Sequence, residues 1–570
     1  MSTTAPSHPA SVAIVTLGCG RNEVDSDQLA GLFHRTGTQV VDDPTAAEVV
    51  LVNTCTFIAP AKQESIDTVL EACQLKQDGA AQAVLVVGCM AQRYPQELAE
   101  AIPEADAVVG FDGYADLPGI VDDVLAGRAT SRVLGVGPAH PGSRPTDAAT
   151  PDGLRRDLPL MVMPATAPES APATGPEGAP ATGPERAPAT APEPVAVPAS
   201  ISRPTPQDEL DRIPASGPRF PVRHLGVGGP RRPWSYLKIA SGCDRVCTFC
   251  AIPSFRGRFR SRPLDELVAE AAWLADQGIR ELVLVSENTT SWGKDLPGGR
   301  QLQPQLLRTL SEVEGIERLR LMYLQPAELT EDLLTAIAEE PKVASYYDLS
   351  LQHVSGPVVQ RMARSGDHER FAALIDRARA LDPDAVFRSN FIIGFPGETD
   401  HDVEVLADFL EQQQLDWVGL FPFSREDGTP SDDLPDQVPD ELVGERLAMI
   451  SELQERVADE AAARFVGRDL DVLVDEVIDD AEADGVATVD GATGERRVVA
   501  DVPADPSARA TIARSYREAP DTDGEIRLVG PDGQPADLPV GRTLTVHVGS
   551  AVGVDLIATV DARTAGGADG

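Results

Sequence analysis

The sequence is short of basic residues. Its 570 residues include 49 Lys and Arg against 90 Asp and Glu, which gives a formal net charge of −41. Nucleic-acid affinity depends on Lys and Arg side chains that neutralise phosphates, so this balance argues against a general nucleic-acid-binding surface. A basic protein partner fits the charge better.

Long apolar stretches are also missing. No window approaches the ~18 continuous apolar residues that a membrane span needs, and the first nine residues have neither the basic nor the apolar region of a signal peptide. The seven cysteines show no pairing pattern and fall mostly in predicted loops, as expected of reduced thiols that bind metal. We therefore expect a cytoplasmic protein without membrane association.

Cysteine is absent after Cys250, and this absence defines the main motif. Cys243, Cys247 and Cys250 share one loop with the spacing C-x3-C-x2-C, and the nearest earlier cysteine is Cys89. Thiolates at this density favour zinc or an iron–sulfur cluster. Structural zinc sites and ordinary four-iron clusters use four protein ligands, so three thiolates on such a cluster would leave one iron open to a small molecule. A partial zinc knuckle or a C-x-x-C redox pair remains an alternative, although neither explains Cys243.

A second trio of cysteines lies in the first domain, at 11–137. Strands alternate there with helical patterns, which predicts an open parallel α/β sheet. Cys19, Cys55 and Cys89 each follow a predicted strand, and the carboxyl ends of parallel strands share one edge. The three thiolates could converge there on a second cluster with an open iron, unless they are buried loop cysteines without metal. Cys73 continues an apolar helical stripe and is predicted to be a core residue.

Three further segments follow. Residues 138–232 are rich in Pro and Ala, with an eight-residue Pro-Ala-Thr repeat that starts at Pro164, and they predict a disordered linker. Residues 233–464 alternate strands and helices, which predicts a partial barrel of six parallel strands with its site at their carboxyl ends. Residues 465–563 contain short strands and Gly/Asp turns, which predict a small β-barrel. The predicted strands are 12–17, 48–52, 83–87 and 105–109 in the first domain, and 234–240, 281–285, 318–323, 346–351, 385–393 and about 417–423 in the central one. The first helix is predicted to be capped near Asp25 or Ser26.

The motifs resemble a known family. The C-x3-C-x2-C loop, with Phe249 before its last cysteine, is similar to that of the radical S-adenosylmethionine (SAM) superfamily. The surroundings of the first trio resemble the amino-terminal domain of the methylthiotransferases, in the branch that modifies an aspartate of the twelfth small-subunit ribosomal protein. The matching stretches are Leu17-Gly-Cys19-Gly-Arg-Asn22, Asn53-Thr-Cys55 and Gly88-Cys89-Met. The tRNA-modifying branch tends to carry Met-Asn after the first cysteine, where this chain has Arg21-Asn22.

The resemblance implies two [4Fe–4S] clusters, one on each cysteine trio. One SAM would supply a methyl group to sulfur at the Cys19/Cys55/Cys89 cluster, and a second SAM at the other cluster would generate a radical that activates the substrate carbon. The implied partners are a basic small-subunit ribosomal protein, an external electron donor and a sulfur donor, with nucleic acid not the main substrate. The tail would be the family's TRAM barrel. Methylthiolation of a tRNA adenosine is the alternative function, and a non-catalytic iron–sulfur scaffold or carrier is a third.

The resemblance also suggests SAM contacts on the barrel rim. These are Phe249, Glu287, Gln352 and Arg388; for the three polar side chains an ordinary rim hydrogen bond is the alternative. Four arginines follow the cluster loop and could bind a carboxylate of SAM or of the substrate, or pair with nearby acidic residues. They are Arg256, Arg258, Arg260 and Arg262.

Overall fold

The computed structural model describes residues 9–79, 81–136, 223–225, 232–299, 303–479, 487–489, 496–498, 509–531 and 535–560. The predicted linker, 138–232, falls almost wholly outside these residues, so its disorder stays a prediction. None of the helices in the described part of the chain combines the length and the apolar character that a bilayer crossing requires.

The amino-terminal part folds into a six-stranded parallel sheet with the order β2-β1-β3-β4-β5-β6. The strands are β1 (Ser11–Thr16), β2 (Gln39–Val41), β3 (Val49–Thr54), β4 (Ala83–Val87), β5 (Ala107–Val109) and β6 (Val133–Leu134). The helices are α1 (Gly20–Thr36), α2 (Ala59–Gln77), α3 (Gly88–Arg93), α4 (Pro95–Ala101) and α5 (Leu117–Leu125). The four predicted strands are confirmed within a few residues. The sequence missed β2 and β6, which are too short to show a periodic pattern.

The predicted cap of the first helix is wrong. Helix α1 starts at Gly20 with Cys19 as its N-cap residue, so Asp25 and Ser26 lie inside it. The Cys19 carbonyl accepts hydrogen bonds from the backbone N–H of Asn22 at 2.8 Å and of Glu23 at 3.3 Å. Asp25 and Ser26 are typical cap residues, but here their side chains bond to other elements. The cysteine is thereby placed at the strand-to-helix turn.

The central part contains the six predicted parallel strands. They form two hydrogen-bonded sheets of order β11-β10-β7 and β12-β13-β14, which isolated parallel bridges connect at Leu319–Val343 and Leu324–Leu349. The strands are β7 (Trp234–Lys238), β10 (Glu281–Val285), β11 (Arg318–Leu321), β12 (Tyr346–Gln352), β13 (Val386–Ile393) and β14 (Trp417–Pro422), and a small ribbon adds β8 (Ala240–Ser241) and β9 (Arg260–Ser261). The helices are α6 (Ile252–Arg256), α7 (Leu264–Asp276), α8 (Gln303–Ser311), α9 (Glu331–Glu339), α10 (Gly356–Arg361), α11 (His368–Leu381), α12 (Asp400–Gln413) and α13 (Asp440–Ala463).

The carboxy-terminal part is a closed five-stranded barrel of order β15-β18-β19-β21-β20. Its strands are β15 (Asp469–Asp479), β18 (Arg509–Arg514), β19 (Ile526–Val529), β20 (Thr543–Val552) and β21 (Asp555–Thr559), with a separate hairpin of β16 (Ala487–Val489) and β17 (Arg496–Val498). The barrel packs on the central strands around the fully buried Glu281. Burial would raise the pKa of Glu281, but Arg514 and Arg320 lower it to about 2. The ion pairs therefore keep a charged carboxylate inside this interface.

The three parts meet in one apolar core, and the amino-terminal and central parts have further cores of their own. Val24 of α1, Tyr236 of β7 and Val546 of the barrel belong to the same cluster of buried side chains. Arg223, at the end of the predicted linker, is only 3% exposed. Its Nε donates to Asp27 of α1 at 3.1 Å and its Nη1 to Glu270 of α7 at 3.2 Å. The chain is therefore anchored at this interface before β7 begins.

Candidate active site

A cavity of about 950 Å³ lies where the three parts meet. The cysteines that line it are Cys19, Cys55, Cys243, Cys247 and Cys250. Asp521 and Thr522 of the carboxy-terminal part also line it. The two predicted cysteine sites therefore face a common space.

Two glycines let the first trio of cysteine loops come together. A Cβ on Gly18 would lie 2.9 Å from the Cβ and 3.0 Å from the Sγ of Cys55. A Cβ on Gly88 would lie 2.5 Å from the carbonyl oxygen of Thr54. Both glycines have φ above +90°, a conformation that L side chains rarely adopt. The Cys19 and Cys89 loops can thus approach the Cys55 loop only because these positions lack a side chain.

Side-chain hydrogen bonds fix the same loops. Asn22 Nδ2 donates to the carbonyls of Leu17 at 2.8 Å and Thr54 at 3.2 Å, which ties the first two cysteine loops together. Ser65 of α2 accepts from the N–H of Cys55 at 2.9 Å and donates to its carbonyl at 3.0 Å. Cys89 is buried and is not among the lining residues. The predicted convergence of strand ends thus has a hydrogen-bonded scaffold.

The second trio lies in the loop after β7 and β8. Gly257 O accepts from Cys243 N at 3.0 Å, and Cys247 O accepts from Cys250 N at 3.2 Å. Thr248 Oγ1 donates to the carbonyl of Arg361 at 2.9 Å, which attaches the loop to α10. Backbone bonds therefore shape the loop while its three thiols remain accessible from the cavity.

The protonation of the thiols differs across the site. Burial raises the pKa of Cys55 and of Cys250 to about 12. At Cys19 burial also acts to raise the pKa, but Arg21 and Arg256 outweigh it and the pKa is lowered. Metal ligation needs thiolates, so iron would have to displace protons from the buried thiols.

Within the described residues, no three His, Cys, Asp or Glu side chains are arranged to hold a single metal ion. A four-iron cluster makes a different demand, because each thiolate binds its own iron and the three sulfurs need not meet at one point.

Glu287 has the surroundings of a ligand-binding group. Its side chain is 1% exposed and lines the cavity, and neither carboxylate oxygen has a hydrogen-bond partner among the described residues. The nearest cationic atoms are Nε of Arg21 and Nε of Arg256, both at 3.8 Å. A buried carboxylate without hydrogen bonds is costly, and a bound ammonium group would satisfy it.

The other predicted SAM contacts also line the cavity. Phe249 packs beside the buried cluster of Val358, Met362 and Phe395. Gln352 ends β12 with a φ of +70°. These residues lie at the carboxyl end of the barrel, as predicted, although a direct SAM contact stays a prediction.

Arg388 lines the cavity but already has two acidic partners. Its Nη1 lies 3.3 Å from Asp348 Oδ1 and its Nε 3.2 Å from Asp523 Oδ1. Asp523 comes from the carboxy-terminal part and also accepts from the hydroxyl of Tyr346 at 2.6 Å. The guanidinium is thus held by two elements, one of them distant in sequence.

The four arginines after the cluster loop have separate roles. Arg256 is buried and contacts the amino-terminal part, Arg262 Nη2 pairs with Glu270 at 2.7 Å, and Arg258 and Arg260 are exposed. Pairing with a local acidic residue is therefore confirmed for Arg262, whereas the acidic partner of Arg256 is Asp25 of the amino-terminal part.

The sequence missed some lining residues. Arg364 lines the cavity, with Nη1 3.6 Å from Cys247 Sγ and Nη2 2.8 Å from Gln325 Oε1. The ring of Tyr323 packs under the guanidinium of Arg21, whose Cζ lies 5.0 Å from the ring centre. Nothing in the sequence near Arg364 or Asp521 marks them, because each reaches the cavity through tertiary packing alone.

Known proteins resemble this chain over nearly its whole length. The model of "Uncharacterized protein family UPF0004" matches residues 11–110 and that of the radical SAM superfamily matches 237–410. A ribosomal protein uS12 methylthiotransferase RimO of Kineococcus radiotolerans is 43% identical over 548 residues, which cover 96% of each chain. That of Streptomyces coelicolor is 42% identical over 547 residues, with the same coverage.

This chain belongs to the RimO family. It is a radical SAM methylthiotransferase, and the α/β fold with a central radical SAM domain and a small terminal barrel is confirmed. Membership of the RimO family confirms the predicted cofactors, SAM and [4Fe–4S] clusters. Among solved structures, the radical SAM methyltransferase TsrM of Kitasatospora setae aligns over 74% of each chain with 16% identity and a TM-score of 0.46.

The residues present fit these groups. Two trios of cysteines supply soft thiolate ligands, each without a fourth cysteine nearby. The hydrogen-bond-free carboxylate of Glu287 lies on the same cavity and suits an ammonium group.

Proposed function

We propose that this chain adds a methylthio group to the β-carbon of an aspartate in ribosomal protein uS12. The observation that carries the proposal is that cysteines of both trios line one cavity. The chain is also 43% identical to a uS12 methylthiotransferase. No observation on the described residues favours the tRNA alternative.

In this proposal Cys243, Cys247 and Cys250 hold one [4Fe–4S] cluster, and Cys19, Cys55 and Cys89 hold the other, which we call the auxiliary cluster. When bound, the first cluster would supply the electron for SAM cleavage and the auxiliary cluster would supply a site for the transferred sulfur. The chain itself orients the reactants.

The rim residues divide the binding of SAM. Glu287 accepts from its ammonium group, Phe249 supplies an apolar wall beside the cluster loop's cysteines, and Gln352 and Arg388 contact the remaining polar groups.

We further propose that the substrate approaches as a basic protein segment. The formal net charge of −41 supports this, because an acidic chain attracts a basic partner. An external electron donor and a sulfur donor complete the reaction, which takes place in the cytoplasm. The chain comprises an amino-terminal domain at 11–137, a linker at 138–232, a radical SAM barrel at 233–464 and a terminal barrel at 465–563. The terminal barrel acts as a TRAM domain.

The iron content tests the cluster assignments. The anaerobically reconstituted chain should hold about eight irons, and a triple Ala variant at either trio about four. Cys73 is a matched control, because it is buried in the core of the amino-terminal sheet and Cys73→Ala should keep all the iron. An iron count that the triple variants leave unchanged would refute the assignment.

Product analysis tests the reaction. Incubation with uS12 and, separately, with tRNA should give a methylthio mass increase on the protein alone. The variant without Cys19, Cys55 and Cys89 should still cleave SAM but give no thiolated product. Product formation by this variant, or modification of tRNA instead of uS12, would contradict the proposed function.

A further inference from the structure

Arg256 connects the two cysteine sites. It ends α6, the helix that follows the cluster loop, and the carbonyl of the next residue, Gly257, accepts from Cys243 N at 3.0 Å. Its side chain crosses to the amino-terminal part, where Nη2 lies 3.1 Å from the Sγ of Cys89. One short segment is therefore bonded to a cysteine of each trio.

The guanidinium is fixed from several sides. Nη2 also donates to Asn22 Oδ1 at 2.7 Å, and Nη1 pairs with Asp25 Oδ2 at 3.0 Å. The side chain is 6% exposed and its charge lies 4.8 Å from the centre of the Phe111 ring. A planar guanidinium held in this way keeps its hydrogen bond to Cys89 directed, which a flexible surface arginine would not do.

The position of this charge matters for electron transfer. Hydrogen bonds to the cysteine sulfurs and nearby charges set the reduction potentials of iron–sulfur clusters. Reduction adds a negative charge, so a cation beside the ligand stabilises the reduced state more than the oxidised one. Asp25 partly offsets the positive charge of Arg256, and Lys238 pairs with the same carboxylate.

We propose that Arg256 is a positioning residue of the radical SAM domain that raises the reduction potential of the auxiliary cluster through its hydrogen bond to Cys89. The inference rests on the proposed function, because it requires a cluster at Cys19, Cys55 and Cys89. Arg256, one of the four arginines that follow the cluster loop, thereby acts across the domain interface. Docking of the two domains thereby becomes a condition for the correct potential.

The test uses the full-length chain with Cys243, Cys247 and Cys250 replaced by Ala, so that only the auxiliary cluster is bound. The midpoint potential is measured by dye-mediated titration followed by electron paramagnetic resonance. In Arg256→Gln the equilibrium constant for one-electron reduction should fall about tenfold, which corresponds to about 59 mV. Arg258→Gln is the matched control, because Arg258 is exposed and lies only two residues after Arg256. Its potential should equal that of the parent.

A second variant tests the opposite sign. Asp25→Asn removes the carboxylate that offsets Arg256, so the potential should rise. If Arg256→Gln loses the cluster, the potential is measured in Arg256→Lys, which keeps the charge but loses the planar set of donors and should show a smaller decrease. Full iron content with an unshifted potential in these variants, or an equal shift in Arg258→Gln, would overturn the inference alone. A parent that binds no iron at the auxiliary site would overturn the proposed function as well.

Discussion

Glu426 joins the central part to the amino-terminal part by two buried ion pairs. Its carboxylate accepts from Arg93 Nη1 at 2.7 Å and from Lys62 Nζ at 3.2 Å, and all three side chains are at most 7% exposed. Glu426→Gln keeps the shape but leaves both cations without a counter-charge. Removal of one partner from a buried pair costs about 3–5 kcal/mol. Opening of this interface should therefore become easier by roughly 10²-fold or more.

Hydrogen exchange measures this opening directly. Backbone amides at the start of α2 and in the 424–429 loop should exchange faster in Glu426→Gln by about that factor. The matched control is Glu411→Gln, which breaks the Glu411–Arg456 pair, where both side chains are about half exposed. Exposed pairs contribute about 0–1 kcal/mol. Equal exchange at the interface in the two variants would refute the reasoning.

Three further predictions concern single groups. Asp523→Asn weakens the anchor of Arg388, so SAM affinity measured by calorimetry should fall about tenfold; unchanged affinity would separate Arg388 from SAM binding. Gly18→Ala places a methyl group against Cys55, so iron analysis should show about half the content; full content would contradict this. Burial raises the pKa of Asp555 to about 7, so the folded state holds its proton at pH values where the unfolded state has lost it, and its contribution to the unfolding free energy falls as pH rises from about 4 to 7. Urea midpoints across this range should decline less in Asp555→Asn, and equal slopes would contradict the sign.

The sequence predicted the strands because their signal is local. The run at 83–87 is apolar throughout and is the strand β4 with the same bounds, and Cys19, Cys55 and Cys89 all follow strands of one parallel sheet. A shared edge then follows from topology alone. The start of α1 was less predictable, because Cys19 caps the helix with its backbone carbonyl and its side chain makes no capping hydrogen bond.

Contacts between domains could not be read from the sequence. The partner of Arg256 is Cys89, 167 positions away, and the partner of Arg388 is Asp523, 135 positions away. Such pairs depend on how whole domains pack, and no periodicity or spacing encodes that packing. The sequence therefore identifies the four arginines after the cluster loop, but it does not show that Arg256 contacts the sulfur of Cys89.

The anchoring of Arg223 has a practical consequence for protein engineering. Strand β6 attaches the chain to the amino-terminal sheet near residue 134. The chain is held again at Arg223, which pairs with Asp27 and Glu270. Both attachment points are thus set by the folded domains, whatever number of residues connects them. An affinity tag or a fluorescent protein inserted between these points should leave iron content and SAM cleavage intact, and the chain offers an internal labelling position far from either terminus.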